Sequence, residues 1–168
     1  MRKKIFAFLL LSALYAGAQE VPDWENPIVV GINKEPYHAT LTLPSQKADC
    51  KEIISLNGKW RFQWSADPGK RPADFYKNDF NTDTWDTITV PGAWQLQGYG
   101  KPIYSNVNYP FQKDAPKVTS EPPAEYYSYG HRNPTGSYVT TFEVTPDMKD
   151  KCLYLHFEGV KSAMYVWV

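Results

Sequence analysis

Paired carboxylates are the first residues to consider, because two acids held close together can act as proton donor and nucleophile in a hydrolysis. Acidic residues cluster twice in this chain, in the segment Asp79-Phe80-Asn81-Thr82-Asp83 and between Asp147 and Asp150. Both clusters lie among polar residues that are typical of solvated turns. We therefore expect no catalytic carboxylate in this chain of 168 residues.

Two cysteines, Cys50 and Cys152, are the other reactive side chains. Neither lies in a Cys-x-x-Cys or Cys/His spacing, so the sequence predicts no metal site or redox motif around them. A disulfide between them would close a loop of about a hundred residues and add several kcal/mol of stability. Whether their Cα atoms lie close enough is not encoded locally, so a bridge and two separate thiols both stay open.

The segment from Pro91 to Pro134 is rich in proline, glycine, asparagine and tyrosine. Aromatic rings stack on the apolar face of a sugar, and amide groups hydrogen-bond its hydroxyls, so this composition fits a sugar-binding surface. A long loop pinned onto a neighbouring domain has the same composition. Composition alone favours the second interpretation.

The residue pattern predicts that β-strands position these segments. Trp60, Phe62 and Trp64 alternate with polar residues, which is the period of a strand with one buried face. The turn signal Asn57-Gly58 comes just before them. Further strands are predicted over 87–90, 138–144, 152–158 and 163–168. Short strands separated by turn residues indicate an all-β fold, either an antiparallel sandwich or a jelly roll.

The overall composition limits the classes of partner. Hydrophobic residues make up 42% of the chain and aromatic residues 15%, which is enough for one domain with a core. Eighteen basic residues balance eighteen acidic residues, so the formal net charge is zero. Without a positive field, we expect no nucleic-acid partner and no binding to an anionic membrane.

The N-terminus has the three parts of a secretory signal peptide. Arg2-Lys3-Lys4 precede an apolar stretch from Ile5 to Tyr15, and the small residues Ala16-Gly17-Ala18 follow. This order predicts cleavage before Gln19. A transmembrane anchor is the alternative, but the apolar stretch is shorter than the roughly 20 residues that span a bilayer. We therefore expect a periplasmic or secreted bacterial protein.

Six short motifs follow one another along the rest of the chain. They are Asp23-Trp24-Glu25-Asn26-Pro27, Leu56-Asn57-Gly58-Lys59-Trp60-Arg61-Phe62, Val90-Pro91-Gly92-Ala93-Trp94-Gln95 with Gly98-Tyr99, Pro102-Ile103-Tyr104-Ser105-Asn106-Val107-Asn108-Tyr109-Pro110, Asn133-Pro134-Thr135-Gly136-Ser137-Tyr138, and Phe157-Glu158-Gly159-Val160 with Ser162-Ala163. Each motif is weak alone, but their common order and compatible spacing make a chance match very rare. Together they resemble the bacterial β-galactosidases of glycoside hydrolase family 2, and the resemblance covers nearly all of the chain after the signal peptide.

The resemblance implies an N-terminal sugar-binding domain with a jelly-roll or galactose-binding-like β-sandwich. It divides the chain into a signal peptide at 1–18, an extended leader at 19–50 and the sugar-binding domain at 51–168. Because the strand-like run Met164 to Val168 ends without a turn, we expect an incomplete sandwich whose parent continues into further domains. In this family a later barrel carries the two catalytic glutamates of a retaining mechanism, so this chain alone is expected to be inactive.

The resemblance also assigns a substrate contact. The asparagine matched by Asn106 hydrogen-bonds galactose in the family, and an amide offers both an acceptor and donors to hydroxyls. Val107 beside it is expected to shape the pocket wall, whereas Asn108 receives no role. The alternative is that Asn106 only closes a turn ahead of Pro110. The loop 111–132 is longer than the resemblance predicts, which affects the rim of that pocket.

A metal site is the second implication of the resemblance. Asp23, Asn26 and the backbone carbonyl of Val29 match ligands of a Mg²⁺ remote from the reaction, and oxygen ligands suit this ion. The alternative is a motif that packs through Trp24 without any ion. The Mg²⁺ and Na⁺ of the active site would be bound mainly by later domains.

The resemblance implies that the full-length protein hydrolyses terminal, non-reducing β-D-galactose residues. Its partners would be a β-galactoside substrate, the remaining domains of the same chain and further copies in a homo-oligomer, with a tetramer expected. A β-glucuronidase or β-mannosidase of the same family is the first alternative. A non-catalytic carbohydrate-binding module and a purely structural docking domain are the others.

Overall fold

The computed structural model describes residues 21–36, 53–102 and 112–168. Three β-strands lie in this part of the chain: β1 at Gly58–Ser65, β2 at Asp86–Val90 and β3 at Thr135–Val139. The described ranges contain no α-helix, and consequently none with the length and apolar character to cross a membrane. The all-β class predicted from the sequence is confirmed.

The strands form one antiparallel sheet with β1 in the centre, in the order β2-β1-β3. Trp60 lies opposite Ile88 of β2, and Phe62 lies opposite Tyr138 of β3. The alternation predicted around Phe62 is confirmed, because this side chain is fully buried while its neighbours in β1 are exposed. Gly58 is the first residue of β1 and has a φ of 145°, a backbone angle that residues other than glycine rarely adopt.

The core at the centre of the sheet is aromatic. The Phe62 ring lies 4.7 Å from the rings of Tyr99 and Tyr138 and 6.2 Å from that of Trp94, measured between centroids. Aromatic pairs at such spacings add to the stabilisation from burial alone. These contacts connect β1 and β3 to the segment 94–99, which leads toward the predicted substrate loop.

A second aromatic cluster packs Phe75 against Trp85 at 5.9 Å and against Trp167 at 5.5 Å.

Short 3₁₀ turns also occur among the described residues. The 3₁₀ turns lie at Asp23–Glu25, Pro68–Lys70, Trp94–Gln97, Tyr127–Tyr129 and Pro146–Met148.

Three strand predictions need correction. The strand expected over 138–144 begins earlier, at Thr135, and ends at Val139, where its pairing with Arg61 of β1 also ends. The strands expected over 152–158 and 163–168 are wrong, because neither segment pairs with an edge of this sheet. Apolar alternation is not sufficient for a strand, which also needs a neighbour to accept its backbone hydrogen bonds.

Several sequence predictions lie outside the described residues. These include the signal peptide at 1–18, Cys50 and half of the leader at 19–50. Cys152 is described and is exposed. The disulfide question therefore stays as the sequence left it.

Candidate functional site

The Asp23-to-Val29 segment is built from two successive turns. Pro22, with φ −64°, precedes the 3₁₀ turn, and the backbone N–H of Asn26 donates to the carbonyl of Asp23 at 3.1 Å. The second turn closes when the N–H of Val29 donates to the carbonyl of Asn26 at 3.1 Å. The Asn26 side chain also accepts from the N–H of Ile28 at 3.1 Å, which is a typical role for asparagine in turns.

These turns keep the three predicted metal ligands within one short segment. Their donors are all oxygens, which agrees with the chemistry of Mg²⁺, although this ion takes about six ligands. Asp23 hydrogen-bonds the Tyr165 hydroxyl. The pKa of Tyr165 is raised, mainly by burial and secondly by this carboxylate. Within the described ranges, no group of three or more His, Cys, Asp and Glu side chains is arranged to hold a metal. The metal site at Asp23, Asn26 and Val29 therefore stays a prediction from the resemblance.

Trp24 anchors the same segment to the body of the domain. The Arg71 guanidinium lies over the Trp24 ring at 5.1 Å, and the Tyr165 ring packs edge-on at 6.2 Å. Cation–π and edge-to-face contacts of this kind each stabilise by roughly 0.5–1.5 kcal/mol. This packing of Trp24 is compatible with either interpretation of the segment, with a bound ion or without one.

Glu25 makes a contact that the sequence did not reveal. One carboxylate oxygen accepts from the backbone N–H of Val118 at 3.3 Å and from the hydroxyl of Thr119 at 3.0 Å. All three residues are half-buried, which strengthens a charge-assisted hydrogen bond. The leader is thereby connected to the long segment that follows the predicted substrate loop. The only available signal was the position of Glu25 inside the Asp23-to-Pro27 motif.

The chain approaching the substrate loop is held by paired hydrogen bonds to β2. Gln97 bonds Thr89 twice: its side-chain oxygen accepts from the N–H at 2.8 Å, and its amide nitrogen donates to the carbonyl at 3.0 Å. The Tyr99 hydroxyl donates to the carboxylate of Asp86 at 2.9 Å. These three hydrogen bonds hold the segment 94–100 against β2, a few residues before the predicted substrate loop.

The two predicted substrate-binding residues, Asn106 and Val107, lie in the gap between residues 102 and 112 and so outside the described part of the chain. The two acidic clusters are described. The side chain of Asn81 accepts from the N–H of Asp83 at 2.7 Å, which makes a local turn. Asp147 is exposed, and hydrogen bonds from Thr145 and from its own backbone lower its pKa. Both clusters lie in exposed turns, as predicted.

Comparison with known proteins gives a consistent result. The family model for "Glycosyl hydrolases family 2, sugar binding domain" matches residues 53–168. A protein named "Beta-galactosidase" from Priestia megaterium (strain DSM 319 / IMG 1521) is 39% identical over 163 residues, which covers 91% of this chain and 15% of that protein. "Beta-galactosidase" from Vibrio vulnificus (strain CMCP6) is 38% identical over 150 residues, covering 86% of this chain and 14% of that protein.

A third relative, "Beta-galactosidase large subunit" from Lactobacillus acidophilus (strain ATCC 700396 / NCK56 / N2 / NCFM), is 40% identical over 120 residues. The match covers 68% of this chain and 19% of that subunit. The chain thus spans between about a seventh and a fifth of the length of these curated relatives.

Proposed function

This chain belongs to glycosyl hydrolases family 2, as a sugar-binding domain, and we propose that it forms the N-terminal part of an exported β-galactosidase. The full-length protein would hydrolyse terminal, non-reducing β-D-galactose residues. The observation that carries this proposal is the 39% identity to a protein named "Beta-galactosidase" over 91% of the chain.

Within this proposal, Asn106 binds substrate and takes no part in bond cleavage. Its amide would donate to and accept from galactose hydroxyls, and Val107 would form part of the wall beside it. The catalytic carboxyl groups would come from a later domain of the same chain, acting as acid/base and as nucleophile about 5 Å apart. The isolated chain would then be inactive. The parent is proposed to assemble as a homo-oligomer, with a tetramer as the expected form.

The turn at Asp23 has a proposed role in binding Mg²⁺. Its carboxylate, the Asn26 amide oxygen and the Val29 carbonyl would supply part of the ligand shell, and other domains would supply the rest. Bound Mg²⁺ would neutralise charge and brace the leader against its neighbours. A Mg²⁺ and a Na⁺ in the active site are likewise proposed to be held mainly by later domains.

The proposal is tested by substituting Asn106 in the full-length protein. Asn106→Ala should lower kcat/KM for nitrophenyl β-D-galactoside about tenfold or more, because each lost hydrogen bond is worth roughly 1 kcal/mol and an amide can make several. Asn108→Ala is the matched control, since the same side chain is removed two positions away. Equal loss of activity in both variants would contradict a specific sugar contact at Asn106.

Export is tested separately. The periplasmic or secreted location rests on the order of charged, apolar and small residues before Gln19. N-terminal sequencing of the protein recovered from a bacterial host should begin at Gln19. A cytoplasmic protein that begins at Met1 would overturn this part of the proposal.

A further inference from the structure

A cavity of about 350 Å³ lies beside the turn of the leader, and we call it the leader cavity. Its volume falls within the range of about 300–1,000 Å³ typical of small-molecule sites. Three aromatic rings and two charged side chains contribute to its lining: Trp24, Tyr165 and Trp167, with Asp23 and Arg71. The leader cavity therefore combines a flat aromatic wall with one charge of each sign.

The two charged groups of the leader cavity lie close to one another. Burial raises the pKa of the Tyr165 hydroxyl, the Asp23 carboxylate raises it further, and the Arg71 guanidinium lowers it. Asp23 also hydrogen-bonds this hydroxyl. Because the interaction between charges weakens with distance, two groups that both act on one hydroxyl must be near each other. A ligand with a positive and a negative group on neighbouring atoms would match this pair.

Arg71 has hydrogen-bond donors left for a ligand. Its Nη1 donates to the carbonyl of Pro68 at 2.7 Å, and the guanidinium lies over the Trp24 ring at 5.1 Å. A guanidinium carries five N–H donors. Within the described part of the chain, no carboxylate lies at ion-pair distance from Arg71. Because the planar fork of arginine matches the geometry of a carboxylate, this anion is the group that Arg71 would bind.

The aromatic wall of the leader cavity is half-exposed and held in place. Tyr165 and Trp167 are 46% and 47% exposed, and their rings stack at 5.8 Å with 23° between their planes. Trp167 also stacks on Tyr76 at 5.0 Å. A fixed and exposed aromatic surface favours a further ring, because aromatic pairs gain energy beyond burial alone. The wall therefore selects a ligand that has an aromatic group.

From this arrangement we propose that the leader cavity binds a free aromatic amino acid. The α-carboxylate of the ligand pairs with Arg71, the α-ammonium pairs with Asp23, and the ring packs against Tyr165 and Trp167. An α-amino acid carries both charges on one carbon atom, as the closeness of Asp23 and Arg71 requires. The protein side chains are already held by their own contacts, so they lose little conformational entropy on binding. This binding does not depend on the activity of the full-length protein.

Calorimetric titration of the full-length protein with L-phenylalanine tests the site. The titrations are made without added Mg²⁺, because this ion is also proposed to bind Asp23. Three related compounds each lack one of the proposed contacts: 2-phenylethylamine lacks the carboxylate, 3-phenylpropionate lacks the ammonium, and glycine lacks the ring. Each should bind about tenfold more weakly than L-phenylalanine or worse, because each loses a charge-assisted hydrogen bond or the aromatic packing.

Two variants assign the charged contacts. Arg71→Gln should weaken binding of L-phenylalanine about tenfold and leave binding of 2-phenylethylamine unchanged, because that amine has no carboxylate. Asp23→Asn should weaken binding of L-phenylalanine similarly and should not weaken that of 3-phenylpropionate. Arg61→Gln is the matched control for Arg71→Gln, since Arg61 also donates to backbone carbonyls, those of Asp83 at 3.5 Å and Trp85 at 3.4 Å.

Three results would overturn the proposal. The first is that the wild-type protein does not bind L-phenylalanine. The second is that L-phenylalanine and its three partial analogues bind with equal affinity, which would mean that no contact is specific. The third is an equal loss of affinity in Arg71→Gln and Arg61→Gln. The analogue series uses only the wild-type protein, so it decides the proposal even if a variant fails to fold.

Discussion

Glu25 offers a direct test of how the leader supports the sugar-binding domain. The substitution Glu25→Ala removes the acceptor of two hydrogen bonds, from the Val118 N–H and from the Thr119 hydroxyl. A hydrogen bond to a charged group contributes roughly 1.5–3 kcal/mol. The two bonds share one oxygen and are only half-buried, so we take the low end, about 2 kcal/mol.

Amide hydrogen exchange measures this loss locally. A local opening that becomes easier by about 2 kcal/mol should speed exchange at Val118 about thirtyfold. Glu25→Gln replaces the carboxylate with an amide whose oxygen can still accept both hydrogen bonds, so exchange at Val118 should speed up less than in Glu25→Ala. Glu143→Ala, at an exposed position, is the control and should leave Val118 unchanged. If exchange at Val118 is the same in Glu25→Ala and in the wild type, the leader does not hold this segment.

Three further predictions concern the core and its titration. Phe62→Ala should lower the free energy of unfolding by about 3–5 kcal/mol, because this side chain is fully buried; urea denaturation measures the change, and a loss below 1 kcal/mol would contradict this packing. Gly136→Ala should cost about 1–3 kcal/mol, since the new Cβ would lie 2.7 Å from the rings of Phe62 and Trp94, whereas Gly159→Ala, which meets no atom within 4 Å, should be nearly neutral in the same denaturation. Burial raises the pKa of the Tyr138 hydroxyl above its ordinary value of 10.0. The stability that this hydroxyl contributes is therefore fully present below pH 10 and is lost as the pH rises through the folded-state pKa. The free energy of unfolding, measured from about pH 9 to 12, should fall less steeply in Tyr138→Phe than in the wild type, and parallel curves would refute the shift.

Local pattern predicted the centre of the sheet well. Trp60, Phe62 and Trp64 lie in β1 with the expected alternation because a strand with one buried face must alternate. Thr87 to Val90 lies in β2, which begins one residue earlier at Asp86. These elements are specified by side-chain period and by the turn signal at Gly58.

Pairing was the part that the sequence could not show. The segments 152–158 and 163–168 have the same apolar alternation as β1, but they have no ladder partner among the described residues. Similarly, the contact of Glu25 with Thr119 joins residues 94 positions apart, and no local pattern encodes such a distance.

The residues of the candidate site were not predicted from local patterns. Asp23, Asn26 and Asn106 were predicted from resemblance to a family, because composition alone left that region ambiguous.

Substrate preference of the full-length protein tests the central claim most directly. The measurement is kcat/KM for the nitrophenyl glycosides of β-D-galactose, β-D-glucuronic acid and β-D-mannose, under one set of conditions. Our account predicts that the galactoside is preferred by about a hundredfold or more, because a site that hydrogen-bonds particular hydroxyls rejects sugars that lack them. Preference for the glucuronide or the mannoside, or no hydrolysis of any of the three, would contradict it.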